Sequence, residues 1–288
     1  MMPRRSAAAD QAELAAQLQH RFRITDTVRG GGQGMVYRAT RLRDQHGAPA
    51  AEDVALKLYN DAAQVARIDR EVAAMNRVRH KALSNLVEHG AVVLGGRTMR
   101  YVACDYIEGQ ALDHRLKAPP QLPAAVVAVV GRDVAAAVGE IWTERIVHRD
   151  VSPKNIMLRV GEREAVLIDL GIARHTAEDT ITTFGTAWGT LGYMSPEQER
   201  ADHHLTCLSD VFALGVVLQE ALAGRHPTGR DQRALSVGAP ATAAVAPGAP
   251  AALAILIDQM LHPRPAFRPE PALLAEQFGR LATDLQLP

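Results

Sequence analysis

Asp150, Lys154, Asn155 and Asp169 put a candidate base, a cation and two oxygen ligands for a hard metal ion within one short stretch. The stretch runs His148-Arg149-Asp150-Val151-Ser152-Pro153-Lys154-Asn155, and Asp169-Leu170-Gly171 begins nineteen residues after Asp150. An Asp held by its loop can accept a hydrogen bond from a hydroxyl and aim it at a terminal phosphate, while Asn and Asp offer oxygens to Mg²⁺ or Mn²⁺. That combination is what transfer of a nucleotide phosphoryl group needs, so ATP and a divalent cation are the expected cofactors.

A second group of residues suits the nucleotide itself. Val28-Arg29-Gly30-Gly31-Gly32-Gln33-Gly34-Met35-Val36 lies between two strand-like runs, where glycines let backbone N–H groups approach phosphate oxygens. Val54-Ala55-Leu56-Lys57 follows, with an ammonium projecting from an apolar strand. Glu71 comes fourteen residues after Lys57, beside the apolar face defined by Ile68, Val72 and Met75. A carboxylate there can hold the ammonium on target, better than Glu52 or Glu88.

The elements that must position these groups change character near Asp105. Arg23 to Val28, Met35 to Leu42, Asp53 to Tyr59, Leu86 to Leu94 and Thr98 to Asp105 are short alternating or β-branched runs bounded by Gly and polar residues, which predicts five strands. Val65, Ile68, Val72, Met75 and Val78 recur at helical spacing between the third and fourth. Beyond Glu108-Gly109 the pattern is mainly helical, and Val127, Val130, Val134, Val138 and Ile141 mark one buried helix inside Pro123 to Arg145. Residues 1–20 are Ala- and Gln-rich and read as a helical or loose extension. Thr228 to Pro250, rich in Ala, Pro and Gly without a period, reads as a long surface loop.

Composition removes several classes of partner. Lys plus Arg number 32 and Asp plus Glu 32, so no global basic field draws the chain to nucleic acid or anionic membrane. No uncharged apolar run reaches the roughly 18 residues of a membrane span, and the expectation is a cytoplasmic protein. Cys104 and Cys207 stand far apart, which argues for a reducing compartment and against a disulfide or zinc framework.

Taken in order along the chain, these motifs resemble the eukaryotic-like (Hanks-type) serine/threonine protein kinases, in the form found in bacteria. The resemblance implies an α+β, bilobal protein-kinase fold: an antiparallel β-sheet lobe with one helix over residues 21–105, a hinge near 105–110, and a larger, mainly α-helical lobe over 111–282. ATP would lie in the cleft between them. It further implies that Asp150 is the base, Asn155 and Asp169 the metal ligands, and Lys57 the contact to the α and β phosphates with Glu71 as its partner. Adenine would dock on the Asp105 carbonyl and the Ile107 N–H, with Val28, Gly31, Gly34, Val36, Ala55 and Met157 completing the nucleotide site and Cys104 behind the base.

Three positions depart from the family pattern. Arg29 replaces the first glycine of the loop, Leu170 replaces the Phe of Asp-Phe-Gly, and Ser152 stands where Ser/Thr kinases carry the catalytic-loop lysine. Lys154, two residues later, occupies a position where some tyrosine kinases carry Arg. Gly189-Thr190-Leu191-Gly192-Tyr193-Met194-Ser195-Pro196-Glu197 is similar to the peptide-docking segment of Ser/Thr kinases, and implies that the Thr190 hydroxyl bridges Asp150 and Lys154. By the same resemblance Glu197 pairs with Arg268, and Asp210 supports the catalytic loop. Arg149 implies activation by phosphorylation of the segment after Asp169, at Thr180, Thr182 or Thr183, through a homodimer acting in trans. The expected reaction is transfer to Ser/Thr hydroxyls of proteins. A pseudokinase scaffold and a small-molecule phosphotransferase remain as alternatives.

Overall fold

A computed structural model of the chain describes residues 7–31, 34–43, 47–59, 65–170, 189–202 and 204–286. The chain divides into two compact units, one of Met1–Asn76 with Ser84–Ile107 and one of Arg77–Leu83 with Glu108–Pro288.

The first unit holds α1 (Ala7–Leu18), β1 (Phe22–Gly31), β2 (Gly34–Arg43), β3 (Pro49–Tyr59), α2 (Val65–Met75), β4 (Leu86–Leu94) and β5 (Arg97–Asp105). Its five strands form one antiparallel sheet in the order β1-β2-β3-β5-β4, so the expected strands and helix are all present. Period-two alternation divides the sheet into two faces. Val54, Leu56 and Leu58 of β3 are buried with Tyr37, Ala39, Tyr101 and Ala103 on one side, whereas Ala55 and Lys57 point to the other. On that second side Val36 lies opposite Lys57, and Lys57 and Ala55 lie opposite Val102 and Cys104.

Ala7–Leu18 are helical where the sequence left helix and loose chain open. Leu14 and Leu18 of α1 are buried in the same cluster as Phe22 and Leu56. On the edge strand β4, the Val93 N–H donates to Gln17 Oε1 at 3.0 Å and Gln17 Nε2 donates back to the Val93 carbonyl. Both backbone groups of an exposed strand edge are thereby satisfied by one amide side chain. From the same helix, Gln11 accepts from Thr27 Oγ1 of β1 at 3.2 Å.

The second unit is built from β6 (Gly109–Ala111), α3 (Leu112–Arg115), α4 (Ala124–Thr143), β7 (Ile156–Arg159), β8 (Ala165–Leu167), α5 (Pro196–Glu199), α6 (Cys207–Ala223), α7 (Gln232–Val237), α8 (Thr242–Val245), α9 (Ala251–Met260) and α10 (Pro271–Asp284). Helix α4 buries the valines of its predicted stripe and packs on α6 and α10. A Cβ at Gly131 would lie 2.7 Å from the Phe278 ring, so the absence of a side chain there lets α4 and α10 approach. Strands β6, β7 and β8 make a small antiparallel sheet, and β7 begins directly after Asn155. Residues 77–83 join this unit through a hydrogen bond from Leu167 N–H to the Ala82 carbonyl at 2.9 Å.

One expectation is corrected. Residues 228–250 are not a plain surface loop: they contain α7 and α8, and Leu235 and Thr242 are buried. Gln219 of α6 donates to the Pro240 carbonyl at 2.7 Å, and Thr242 Oγ1 donates to Asp258 at 2.6 Å. Tertiary polar contacts hold the segment, and turns of four to six residues carry too little periodicity to announce themselves.

Candidate functional site

The catalytic-loop residues converge on the Asp150 carboxylate. Asn155 Nδ2 donates to Asp150 Oδ2 at 2.9 Å and to the Asp150 carbonyl at 2.8 Å. Thr190 donates to Asp150 Oδ1 through both its N–H at 2.9 Å and its hydroxyl at 2.7 Å. A short 3₁₀ turn over Pro153–Asn155, with proline setting φ at its first position, folds the loop so that Asn155 reaches back across five residues. His148 sets the other side: its Nδ1 accepts from the Asp150 N–H at 3.3 Å, which leaves Nε2–H to donate to the Ile168 carbonyl at 3.2 Å. Histidine here is a fully buried bracket between the loop and the strand leading to Asp169.

With the amide nitrogen of Asn155 committed to Asp150, its side-chain oxygen is the atom that could serve a cation. Ile168 N–H donates to the Asn155 carbonyl at 2.8 Å, so the backbone before Asp169 is tied directly to this loop. Asp169 has an exposed side chain on a backbone with φ of 56°, a left-handed conformation uncommon outside glycine that Asp tolerates better than most residues. Among the described residues no group of three or more His, Cys, Asp or Glu side chains forms an all-protein metal cage. One neutral and one charged oxygen instead suit a Mg²⁺ or Mn²⁺ that takes its remaining ligands from phosphate and water.

The two lysine-related positions behave differently. Ser152 is fully buried, and among the described residues its hydroxyl has no hydrogen-bond partner. Lys154 is exposed, and its ammonium makes no ion pair or hydrogen bond among the described residues. The expected Thr190 bridge is therefore formed on its Asp150 side only.

Beneath the loop lies Asp210 of α6, fully buried and accepting from the N–H groups of His148 at 2.8 Å and Arg149 at 2.7 Å. Burial pushes its carboxyl up to about 7, against the opposing pull of those two donors and the Arg149 charge. The same two bonds hold Arg149 at φ of 63°. Gln198, which sequence motifs did not single out, donates to the Arg149 carbonyl at 2.7 Å. Its signal exists only in three dimensions, because a glutamine next to Glu197 carries no spacing rule.

Glu197 and Arg268 meet as expected, with N–O distances of 2.6 and 2.9 Å, both side chains buried. Arg268 also donates to the carbonyls of His262, Pro263 and Leu208, and Ser209 Oγ donates to Glu197 at 2.8 Å. Burial alone would raise the Glu197 carboxyl, but the Arg268 and Ser209 donors outweigh it and the net shift is downward. Every donor and acceptor has a partner, the condition for a buried ion pair to be tolerated.

In the sheet unit, Lys57 Nζ lies 5.0 Å from the centre of the Tyr59 ring, and Tyr59 Oη donates to buried Glu71 at 3.3 Å. The carboxylates judged less suitable are engaged elsewhere, Glu88 by Arg21 at 3.0 Å and Glu52 by Arg41 at 3.5 Å. Gly31 and Gly34 pair across the end of the β1–β2 hairpin. Val28 is exposed, and Val36 and Ala55 are partly so. At the end of β5, Asp105 is fixed by Asn85 through its side chain at 2.8 Å and its N–H at 3.0 Å, and its carbonyl accepts from Ser84 Oγ at 3.3 Å. The Ile107 N–H has no hydrogen-bond acceptor among the described residues. Met157 of β7, in the second unit, is partly exposed and pairs with Ala111 and Val166. Leu170 is buried, keeping the apolar anchor of the family position. Thr176, Thr180, Thr182, Thr183 and Thr186 lie outside the described residues.

Comparison with known proteins gives the family and the fold. Residues 22–277 match the profile of the protein kinase domain. Serine/threonine-protein kinase PknL of Mycobacterium tuberculosis is 31% identical over 283 residues, spanning 95% of this chain and 69% of the relative. PknD of the same organism is 34% identical over 202 residues, covering 70% of this chain, which spans only 29% of PknD's length. Among solved structures, the M. tuberculosis PknI kinase domain superposes with a TM-score of 0.67 at 22% identity, covering 91% of this chain and 95% of that one, a likeness of fold. The motifs, the sheet and helical units and the matched span make this chain a member of the protein kinase family, of the bacterial serine/threonine type.

Proposed function

We propose that this domain transfers the γ-phosphoryl group of ATP to Ser or Thr hydroxyls of proteins. The observation that carries the reading is the double hydrogen bond from Thr190 to Asp150, which joins the base to the segment that in this family docks peptides. Asp150 accepts the hydrogen bond of the incoming hydroxyl and takes its proton as the new O–P bond forms and the bond to the leaving β-phosphate oxygen breaks. Lys154, exposed and without an ion-pair partner among the described residues, compensates the charge on the moving group. Asn155 and Asp169 would hold the divalent ion, which would neutralise phosphate charge. Lys57 with Glu71 orients the α and β phosphates. Adenine is assigned to the Asp105 carbonyl and the Ile107 N–H, with Val28, Gly31, Gly34, Val36, Ala55 and Met157 around the nucleotide.

The pseudokinase alternative is disfavoured, because base, cation and metal-ligand positions are all filled by competent side chains. Labelled phosphate from ATP, with Mg²⁺ or Mn²⁺, should appear on a generic basic protein. Asp150→Asn should reduce the rate about 100-fold or more, the usual worth of a positioned base, and Lys57→Met should also abolish transfer. No transfer to any protein, with nucleotide binding intact, would establish a scaffold instead. Phosphorylation of a sugar alone would establish a small-molecule enzyme.

A further inference from the structure

The turn that presents Thr190 to Asp150 is gripped from outside by two side chains that no motif marks. Tyr193 N–H donates to the Thr190 carbonyl at 3.1 Å and closes a four-residue turn with Gly192 at its third position, at φ of 91°. Only glycine takes that conformation without strain. Both backbone groups of Gly192 are taken by side chains: its N–H donates to Gln232 Oε1 at 3.0 Å, and its carbonyl receives His226 Nε2 at 2.8 Å.

Each gripping residue is itself fixed. Gln232 Nε2 donates onward to the Met194 carbonyl at 2.9 Å. His226 Nδ1 accepts from the N–H of Arg230 at 2.8 Å and of Thr228 at 3.3 Å, so its proton lies on Nε2 and points at Gly192. The ring stands edge-on to Tyr193 at 5.1 Å, and Tyr193 Oη is bonded to buried Glu220. The fit is close: a Cβ at Gly192 would lie 2.9 Å from Arg230 Cα and 3.0 Å from His226 Nε2. What this clamp holds up is Leu191, whose side chain is 65% exposed at the tip of the turn, one residue from Thr190.

We propose that His226 and Gln232 are positioning residues for the protein substrate. By fixing the Gly192 peptide at both ends, they hold the Thr190–Tyr193 turn as a rigid ledge beside Asp150. This assignment rests on the kinase reading above. A substrate whose hydroxyl meets Asp150 must lay its neighbouring residues along this ledge, whereas ATP makes no demand on it. Loss of either clamp therefore weakens the protein substrate and leaves the nucleotide alone.

Steady-state kinetics on the whole chain, with ATP and a synthetic serine peptide varied separately, tests this. Gln232→Leu and His226→Phe should each raise the peptide KM roughly five- to twentyfold, the worth of one or two lost hydrogen bonds. The ATP KM should stay unchanged. Gln232→Glu keeps an acceptor for the Gly192 N–H but loses the donor to the Met194 carbonyl, and should recover only part of the peptide KM. His226→Gln keeps a donor, and serves if the phenylalanine variant does not fold. An unchanged peptide KM in Gln232→Leu and in the His226 variant that folds, with wild type active, overturns the clamp alone. Equal loss toward peptide and ATP makes the contacts merely structural and also overturns it. A wild-type chain that phosphorylates no protein overturns the kinase reading, and the clamp's role with it.

Discussion

At the scale of single residues, the instructive pair is Ser152 and Lys154. Family pattern alone would give Ser152 the lysine's role, but its hydroxyl is fully buried and has no partner among the described residues. A buried hydroxyl left unpaired costs about 1–3 kcal/mol. Ser152→Ala should therefore leave turnover within about twofold and raise the unfolding free energy by about 1 kcal/mol. Restoring the family residue with Ser152→Lys should destabilise, because a charge would be driven into a packed site. Lys154→Ala, by contrast, should lower kcat about 10- to 100-fold with little change in melting temperature, as loss of a charge that acts on the transition state does. Turnover that fell with Ser152→Ala and survived Lys154→Ala would reverse the assignment. The residues proposed as base and metal ligands could be singled out beforehand because the chemistry asked of them restricts both residue type and spacing. Gln198, His226 and Gln232 were not, since what defines them is a backbone group 34 to 49 residues away.

Among the elements, long periodic segments were readable and short or polar-anchored ones were not. The valine stripe of α4 and the alternation of β3 survive translation into structure because burial selects one face at a fixed period. Helices α7 and α8 escaped notice because six and four residues give no period to read. Helix α1 was half-visible: its alanines suggested helix, but nothing local shows that Leu14 and Leu18 complete the sheet's core. Leu14→Ala should cost about 2–5 kcal/mol, the range for a large-to-small change at a fully buried site, read by chemical denaturation. A loss below about 0.5 kcal/mol would show that α1 is dispensable packing.

The Glu197–Arg268 pair joins α5 to the segment before α10, and its pH dependence has a definite sign. Its carboxyl titrates below the ordinary 4.5, so folding gains stability above that value and loses it as pH falls through the folded-state pKa. Arg268→Ala strands a buried carboxylate and should cost about 3–5 kcal/mol at neutral pH. Glu197→Gln should be less stable than wild type at neutral pH and lose less stability below pH 4.5. Parallel acid-unfolding curves for wild type and Glu197→Gln would contradict the lowered pKa.

At the scale of the whole molecule, net charge bears on whether one copy could phosphorylate another. With 32 basic and 32 acidic side chains the formal net charge is zero, so encounter between chains is neither strongly steered nor strongly opposed at long range. Phosphorylation of one copy by another, expected at Thr180, Thr182 or Thr183, should then be limited by ordinary collision. The initial rate per chain should rise in proportion to protein concentration, and change less than about threefold between low and physiological ionic strength, where screening length falls to about 8 Å. An Asp150→Asn chain with a mass tag should acquire phosphate from wild-type enzyme, and peptide mass spectrometry should place it on those threonines. A rate per chain independent of dilution, with the tagged chain unmodified, would make the reaction intramolecular. Steep salt dependence would instead reveal opposed charged faces that the zero sum conceals, and would locate the encounter surface by the charges whose reversal abolishes it.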